Sequence, residues 1–499
     1  MKTIAKTIFV TAMAAALLSC SKLENRLLRV EVLGKDTIDG FLGEYDGYVA
    51  AGEGLHAEIR NFYPYVIKYS EIAGDLLNIT ASADEGDQLL FNYQLEQQHT
   101  ATYPRSYWAN GWSVVTQVTY LLEYGKANLE KGWSTQETVT VKKIMAQAHF
   151  ARALAMFQIC NAYAQPYNYT PDHSHIGIPI LTRIASFEEV LPRQSIDKVY
   201  EQILKDLSES MVLFREVAEI APQQAQIDRI YDPYHISYIA CEALLARISL
   251  YMEDWDHAIE YSASVMEKVP LTSREKYIDM YRSSQAVPGE ESIFRINHYA
   301  ASSSLSALFN PVGGAKFEPA EVMNTLYEAD DIRNELLTYV PQEGEEGIMP
   351  GSRPRAVCKY LWWKKGIPDD LAKVHDNFVL RCSEMYLIHA EALLRGHNDN
   401  TGAADDLKVI LARAKGKPVS AITIPGDLAE AIKKERVREL CYEGHRLFDV
   451  IRRKEDLVRT NNSSVKLVSY PNYRFVLPID QLEMQSNEKM IQNEGYETK

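Results

Sequence analysis

Arg381-Cys-Ser-Glu384-Met-Tyr-Leu387-Ile-His-Ala390-Glu391-Ala392 opens an alanine-rich stretch, Arg381–Arg395, that a short polar turn separates from a second helical stretch over Gly402–Ala414. Small side chains at contact positions let helix axes approach closely, so the run predicts a packed helix pair. Upstream, Tyr234–Lys268 repeats the plan: Ala240, Ala243, Leu244, Ala246, Arg247 and Leu250, a turn at Glu253–Asp256, then Ala258, Ile259, Tyr261 and Val265. Between Glu137 and Tyr163, Val141, Ile144, Met145, Ala148, Ala151, Leu154 and Ala155 recur at helical spacing.

Helix pairs of roughly 34 residues with small residues at packing positions resemble tetratricopeptide repeats. Here the pairs are scattered, not tandem, which predicts an all-α, tetratricopeptide-like scaffold with long inserted loops and a few short strands. Three insertions stand out. Residues 60–112 hold Tyr63, Tyr65, Tyr69, Tyr93, Tyr103, Tyr107, Trp108 and Trp112. Residues 281–317 are rich in Ser, Gly and Ala around Tyr299 and Phe309. Residues 341–376 contain Lys359-Tyr360-Leu361-Trp362-Trp363. Loops on a rigid frame carry most recognition residues, so function is expected there.

The chain begins with Lys2 and Lys6 and an apolar run from Ile8 to Leu18. That run is shorter than the roughly 20 residues a spanning helix needs and fits a secretory signal. It ends in Leu17-Leu18-Ser19-Cys20, which looks like the lipobox of bacterial lipoproteins. The likeness implies cleavage after residue 19 and lipidation of Cys20; an ordinary signal peptide with a chance cysteine is the plainer alternative. Losing Lys2 and Lys6 takes the formal charge from -15 to -17. Such an acidic surface argues against nucleic acid or anionic lipid as the main ligand. Cys160, Cys241, Cys358, Cys382 and Cys441 form no CxxC pair and read as buried free thiols.

From these stretches outward, the sequence resembles the SusD/RagB family of outer-membrane nutrient-binding lipoproteins. Arg381 through Ala392 looks like the family's arginine-glutamate helix, and Ala403 through Ala414 like its partner. Glu435-Arg436-Val-Arg-Glu439-Leu440-Cys-Tyr-Glu443-Gly444-His-Arg446-Leu-Phe448-Asp449 matches its most recognisable motif. Leu477-Pro478-Ile479, Asn487 and Gln492-Asn493-Glu-Gly495-Tyr496 match its terminal signature. Phe150-Ala-Arg152-Ala153-Leu154, Tyr200 through Leu207, and Ala243-Leu-Leu-Ala246-Arg247 agree as well. Trp108, Trp112 and Val115 fit the family's aromatic helix, but Thr119 stands where an asparagine is usual. The resemblance divides the chain into a signal peptide (1–19), a SusD-like N-terminal region (20–230) and a RagB/SusD C-terminal region (231–499), the last two intertwined in one globular unit.

Glu435, Glu439 and Glu443, spaced four apart, invite an acid–base reading, since paired carboxylates about 5 to 10 Å apart cleave glycosides. Arg436, Arg438 and Arg446 supply positive charge to pair with them, and pairing lowers a carboxyl pKa, the wrong direction for a general acid. A structural salt-bridge role is therefore preferred. His173 and His175 sit in a polar loop, solvated or, given acidic partners, metal-binding. No phosphate loop, HExxH or GxSxG occurs.

Loop aromatics are the better candidates, because sugar rings stack their C–H faces on Trp and Tyr, which freeze few torsions on binding. Many of the 30 tyrosines must instead fill the core. The expected ligand contacts are Trp108, Asn110, Tyr299, Trp362 and Trp363, with Trp108, Trp362 and Trp363 ranked first because exposed tryptophan in a loop is otherwise costly. The resemblance implies capture of an oligosaccharide at the cell surface and its delivery to a SusC-type TonB-dependent channel. It implies no cofactor, no metal, no nucleic acid, and contact with the membrane through the lipid alone. A peptide ligand, a helical glycoside hydrolase and a scaffold that binds only proteins remain as alternatives.

Overall fold

A computed structural model describes residues 38–96, 99, 103–186, 188–283, 285–297, 304–311, 314–339, 353–361 and 375–496. The principal helices are α1 (Tyr45–Ile72), α2 (Tyr103–Leu129), α3 (Thr135–Tyr163), α4 (Ile196–Ala218), α5 (Tyr238–Met252), α6 (Trp255–Lys268), α7 (Arg274–Arg282), α8 (Cys382–His397), α9 (Asn400–Lys415), α10 (Leu428–Leu440) and α11 (Arg446–Arg452). Strands are short: β1 (Leu77–Ile79), β2 (Ser292–Ile296), β3 (Phe317–Pro319), β4 (Asn377–Arg381), β5 (Leu457–Val458) and β6 (Leu467–Val468). They pair antiparallel as β1–β3, β2–β4 and β5–β6. The molecule is of the all-α class, as expected.

The two predicted helix pairs form with the same turn. Glu253 at φ 59° closes α5 and Asp254 caps α6 by accepting from the His257 N–H; Asn398 at φ 54° closes α8 and Asp399 caps α9 by accepting from the Gly402 N–H. A left-handed residue followed by an aspartate satisfies both helix ends in two residues. Helix α3 starts on a Ser134–Glu137 capping box. Its Ala146, Ala148, Ala151, Ala153 and Ala155 are all buried, where α2 and α4 pack against it. At the α1–α2–α3 contact, a Cβ on Gly111 would lie 2.8 Å from Ile159 and 3.1 Å from Phe62. Only hydrogen fits there.

One of the predicted loops is largely regular structure, and a second is partly so. Residues 60–112 run through the second half of α1, β1, a short helix at Glu85–Phe91 and the start of α2, and Tyr63, Tyr69, Tyr93, Tyr103 and Tyr107 are core. The tyrosines look like a loop because hydroxyls break the apolar pattern, but each of these five bonds or packs inside. In 281–317, the described residues include β2 and a helix at Ser304–Phe309. Of the third stretch, Lys359, Tyr360 and Leu361 are buried. All five described cysteines are buried free thiols. Among the described residues, no helix is long and apolar enough to cross a membrane.

What fastens the C-terminal helices to the rest is a buried ion network. Arg381, at the β4–α8 junction, reaches Glu439 at 2.6 Å, Glu291 at 2.7 Å and Glu443 at 2.7 Å. Arg413 of α9 adds contacts to Glu291 and Glu439 at 2.6 Å each. Arg333 bonds Glu435 at 2.7 Å and Glu439 at 2.9 Å, and Lys359 bonds Glu443. Arg247 of α5 forks onto Glu384 of α8 at 2.6 and 2.7 Å. Arg452 forks onto Glu391, and Asp449 takes Arg436 and Arg452.

The salt-bridge reading of the Glu435–Asp449 motif thus holds, with one correction. Arg438 does pair with Glu435, at 3.2 Å, but Arg436 turns to Asp449 and Arg446 to Asp75 at 2.7 Å. The charges that neutralise Glu439 and Glu443 come from distant segments, because Glu439 faces what packs on α10 and Glu443 lies in the turn beyond its end at Leu440.

Burial alone pushes these carboxyls up, but the neighbouring cations win. Arg381 and Lys359 bring Glu443 down to about 2, Arg452 brings Glu391 to about 2, and Arg413, Arg381 and Arg333 hold Glu439 well below the usual range. Glu71, at the end of α1, goes the other way. Burial lifts it to about 7, although it accepts from the Gly444 N–H at 3.0 Å.

Removing one member of a fully buried network leaves its partners uncompensated, which costs about 3–5 kcal/mol. Arg381→Met is expected to lower the unfolding free energy by that amount, read as a lower urea midpoint at an unchanged m-value, whereas Arg395→Ala, at a half-exposed pair, should cost less than about 1 kcal/mol. The depressed carboxyls add stability that is complete above about 4.5 and is lost as pH falls toward about 2. Raised Glu71 adds stability at low pH that is lost as pH climbs from about 4.5 through about 7. Scanning calorimetry of Glu71→Gln should therefore show a flatter profile between those two values, and an unchanged acid limb.

Candidate functional site

The first turns of α2 gather the aromatic residues the sequence singled out. Tyr103 and Tyr107 lie four apart on one face, and the ring of Tyr107 meets Phe62 at 5.4 Å, Tyr163 at 5.7 Å and Tyr103 at 6.3 Å. The Trp108 ring stands edge-on to Tyr163 at 4.9 Å and tilts against Trp112 at 5.5 Å. Tyr103 in turn meets half-buried Tyr65 at 5.8 Å and donates its hydroxyl to the Tyr65 carbonyl. Tyr107 donates to the Gln158 carbonyl at 2.9 Å, and Tyr163 donates to that of Pro104. Burial pushes the Tyr103, Tyr107 and Tyr163 phenols well above their usual value, so they remain neutral donors.

Trp108 is therefore not an exposed loop residue. It is 6 % exposed and sits on a helix, with a thin edge at the surface. Asn110, half-buried two residues further along α2, donates its amide to the Ser106 carbonyl at 2.7 Å. Thr119, the departure from the family pattern, is buried and returns its hydroxyl to the Val115 carbonyl at 2.8 Å, which satisfies it within the helix.

Around this aromatic end stand polar groups that no sequence pattern singled out. Lys68 lies 5.7 Å over the Tyr65 ring, its pKa lowered by burial and held up by Asp87. Arg105 bonds Asp480 at 2.9 Å. Trp112 is half-buried, packed against the core. Its one signal was its spacing from Trp108. The partly accessible groups at this end are the half-buried Tyr65 and Trp112 rings, the Lys68 cation and the Asn110 amide, which a hydroxyl-rich ring can use.

Tyr299, Trp362, Trp363 and the lipidation candidate Cys20 lie outside the described residues. Of the expected set, Trp108 and Asn110 share the end of α2. His173 and His175, expected in a solvated loop, are half-buried and held in place. His173 stacks on Tyr167 at 4.1 Å, and His175 contacts Thr170 at 3.0 Å and the Gln165 carbonyl at 3.2 Å. Among the described residues, no group of three His, Cys, Asp or Glu side chains could hold a metal. The carboxylates that invited an acid–base reading are the ones consumed by the ion network.

Comparison with known proteins bears on this arrangement. Residues 364–496 match a family model described as SusD family, and residues 66–250 match one described as starch-binding associating with outer membrane. Together the two stretches exceed half of the chain. A SusD superfamily protein of Bacteroides vulgatus has 21% identity and a TM-score of 0.75, covering 91% of this chain and 100% of its own. Another from Bacteroides thetaiotaomicron has 20% identity and a TM-score of 0.72, covering 90% and 99%. A laminarin binding SusD-like protein has 21% identity and a TM-score of 0.65, covering 91% and 99%. No curated protein matches. At such identities the likeness of structure establishes the fold, and the matched families agree with it, so this chain is a SusD-like family protein.

Proposed function

We propose that the protein is a cell-surface lipoprotein that binds an oligosaccharide and delivers it to a SusC-type TonB-dependent channel in the outer membrane. The family match carries this reading, since one matched family is described as starch-binding and associating with the outer membrane. One protein of the same fold is named for binding laminarin. In this proposal Cys20 carries the lipid, and the aromatic end of α2 supplies Trp108 and Asn110 to the ligand, joined by Tyr299, Trp362 and Trp363.

Binding rather than catalysis follows from the charges. Glu439 and Glu443 are opposed by arginine and lysine and held low, so neither is poised to give up a proton to a leaving group. Flat rings beside an amide and a cation can instead hold a sugar by stacking and hydrogen bonds, with few torsions to freeze. A modest affinity serves the role, because delivery requires release.

Calorimetric titration of the chain lacking residues 1–19 with laminarin, soluble starch and a mixed peptide pool checks the ligand class. A glycan is expected to bind, and Asn110→Ala and Trp363→Ala are each expected to weaken it about tenfold, which corresponds to about 1.4 kcal/mol. Peptide binding without glycan binding would sink the saccharide reading.

A further inference from the structure

A second cleft opens where the segment after α3 meets the C-terminal segment. It encloses about 360 Å³ between Gln165, Tyr169 and His175 on one wall and Asn472, Tyr473 and Glu494 on the other. That volume lies near the lower end of small-molecule sites, about 300 Å³.

Both walls are stiff. His175 packs its ring against Tyr169 at 5.4 Å while its two nitrogens engage Thr170 and the Gln165 carbonyl. Across the gap, Tyr473 is held on three sides. Tyr496 meets it edge-on at 5.0 Å, and Arg474 donates to its hydroxyl at 2.9 Å. Gly495, at φ 86°, lies so close that an added Cβ would overlap the ring. Gln165 ties the walls together by donating to the Asn472 carbonyl at 3.2 Å. Behind them, Asn493 donates to the carbonyls of Tyr163 and Leu477 at 2.9 and 2.8 Å, and the Leu477 N–H to that of Ala162 at 2.7 Å.

Polar groups reach the cleft from the second wall. The half-buried Asn472 side chain accepts from the Arg474 N–H through its oxygen at 3.0 Å, and the Glu494 carboxylate is exposed. Burial lowers the His175 pKa, so its ring is neutral near pH 7. Two half-buried tyrosine rings, a half-buried amide and an exposed carboxylate match a neutral, hydroxyl-rich ring. Glu494 and the acidic surface disfavour an anionic one.

We propose that this cleft is a second saccharide subsite, taking one neutral hexose residue between Tyr169 and Tyr473. It rests on the saccharide reading above and extends it. Buried Tyr163 connects the two places: its ring packs against Trp108 and its carbonyl accepts from Asn493, which lines the cleft. Two weak contacts on one glycan chain raise its effective affinity without any new strong contact.

Saturation-transfer NMR on the chain lacking residues 1–19 tests the cleft, with methyl β-glucoside, methyl α-mannoside and methyl β-glucuronide as probes. Transfer to at least one neutral glycoside is expected in the unsubstituted protein and in Asn110→Ala. In the Asn110→Ala background, where the main site is weakened, it should fall at least fivefold on adding Tyr169→Ala and persist on adding Tyr169→Phe, which keeps the ring. The glucuronide should give less than either neutral probe. No transfer to a neutral glycoside, equal transfer on adding Tyr169→Ala, or preference for the glucuronide overturns the subsite. Loss in Asn110→Ala with none in Tyr169→Ala also overturns it, while leaving the main saccharide reading intact. Loss on adding Tyr169→Ala together with no calorimetric binding of laminarin or starch keeps the cleft and removes the polymer reading.

Discussion

A guanidinium with nowhere else to go organises this protein. Arg381 is 1 % exposed, and its donors are met by carboxylates that approach from β2's flank and from α10 and its end. Desolvating so many charges roughly cancels their attraction, so the network adds little net stability over an apolar core of equal volume. Its effect is on alternatives. A packing that shifts any one segment strands a charge in a low-dielectric interior at a cost of several kcal/mol. Residues 291, 333, 359, 381, 413, 439 and 443 must therefore arrive together.

The same logic extends outward in two steps. Arg247–Glu384 carries the register from α8 to α5, and Arg446–Asp75 carries it from α11 to the end of α1. Gly444 and Leu447 donate their N–H groups to Glu71 and Ser70 of α1, and the Tyr69 hydroxyl donates to the Phe475 carbonyl. The C-terminal half is thereby bolted to the end of α1 that adjoins the aromatic start of α2. A frame fixed in this way allows a binding surface to be built from segments far apart in sequence without folding around its ligand.

How much of this was legible beforehand differs by feature. The pairs at Tyr234–Lys268 and Arg381–Ala414 were readable because their turns, a left-handed residue followed by aspartate, lie in the local sequence. The carboxylate motif was readable as structural from its arginines, yet the partners assigned by proximity were mostly wrong. Arg436 and Arg446 point away from Glu439 and Glu443, while Arg333, Lys359 and Arg413 come from elsewhere in the chain. Trp108 was misjudged as exposed because a tryptophan among tyrosines looks amphipathic. The rings of Tyr163 and Trp112, 55 and four residues away, are what cover it. The cleft of Tyr169 and Tyr473 left no signal, since about 300 residues separate its walls.

By itself, then, the sequence determined the helical class, the positions of the main helix pairs and membership of the family. These depend on spacing, capping and short motifs, which act within a few residues. Only the tertiary structure decided which cations meet which carboxylates, which aromatics are buried, and that the segments around residues 169 and 473 close on one another. Each of those outcomes is set by desolvation and contact between elements that pack together only in the folded chain, where side-chain chemistry alone leaves the choice of partner open.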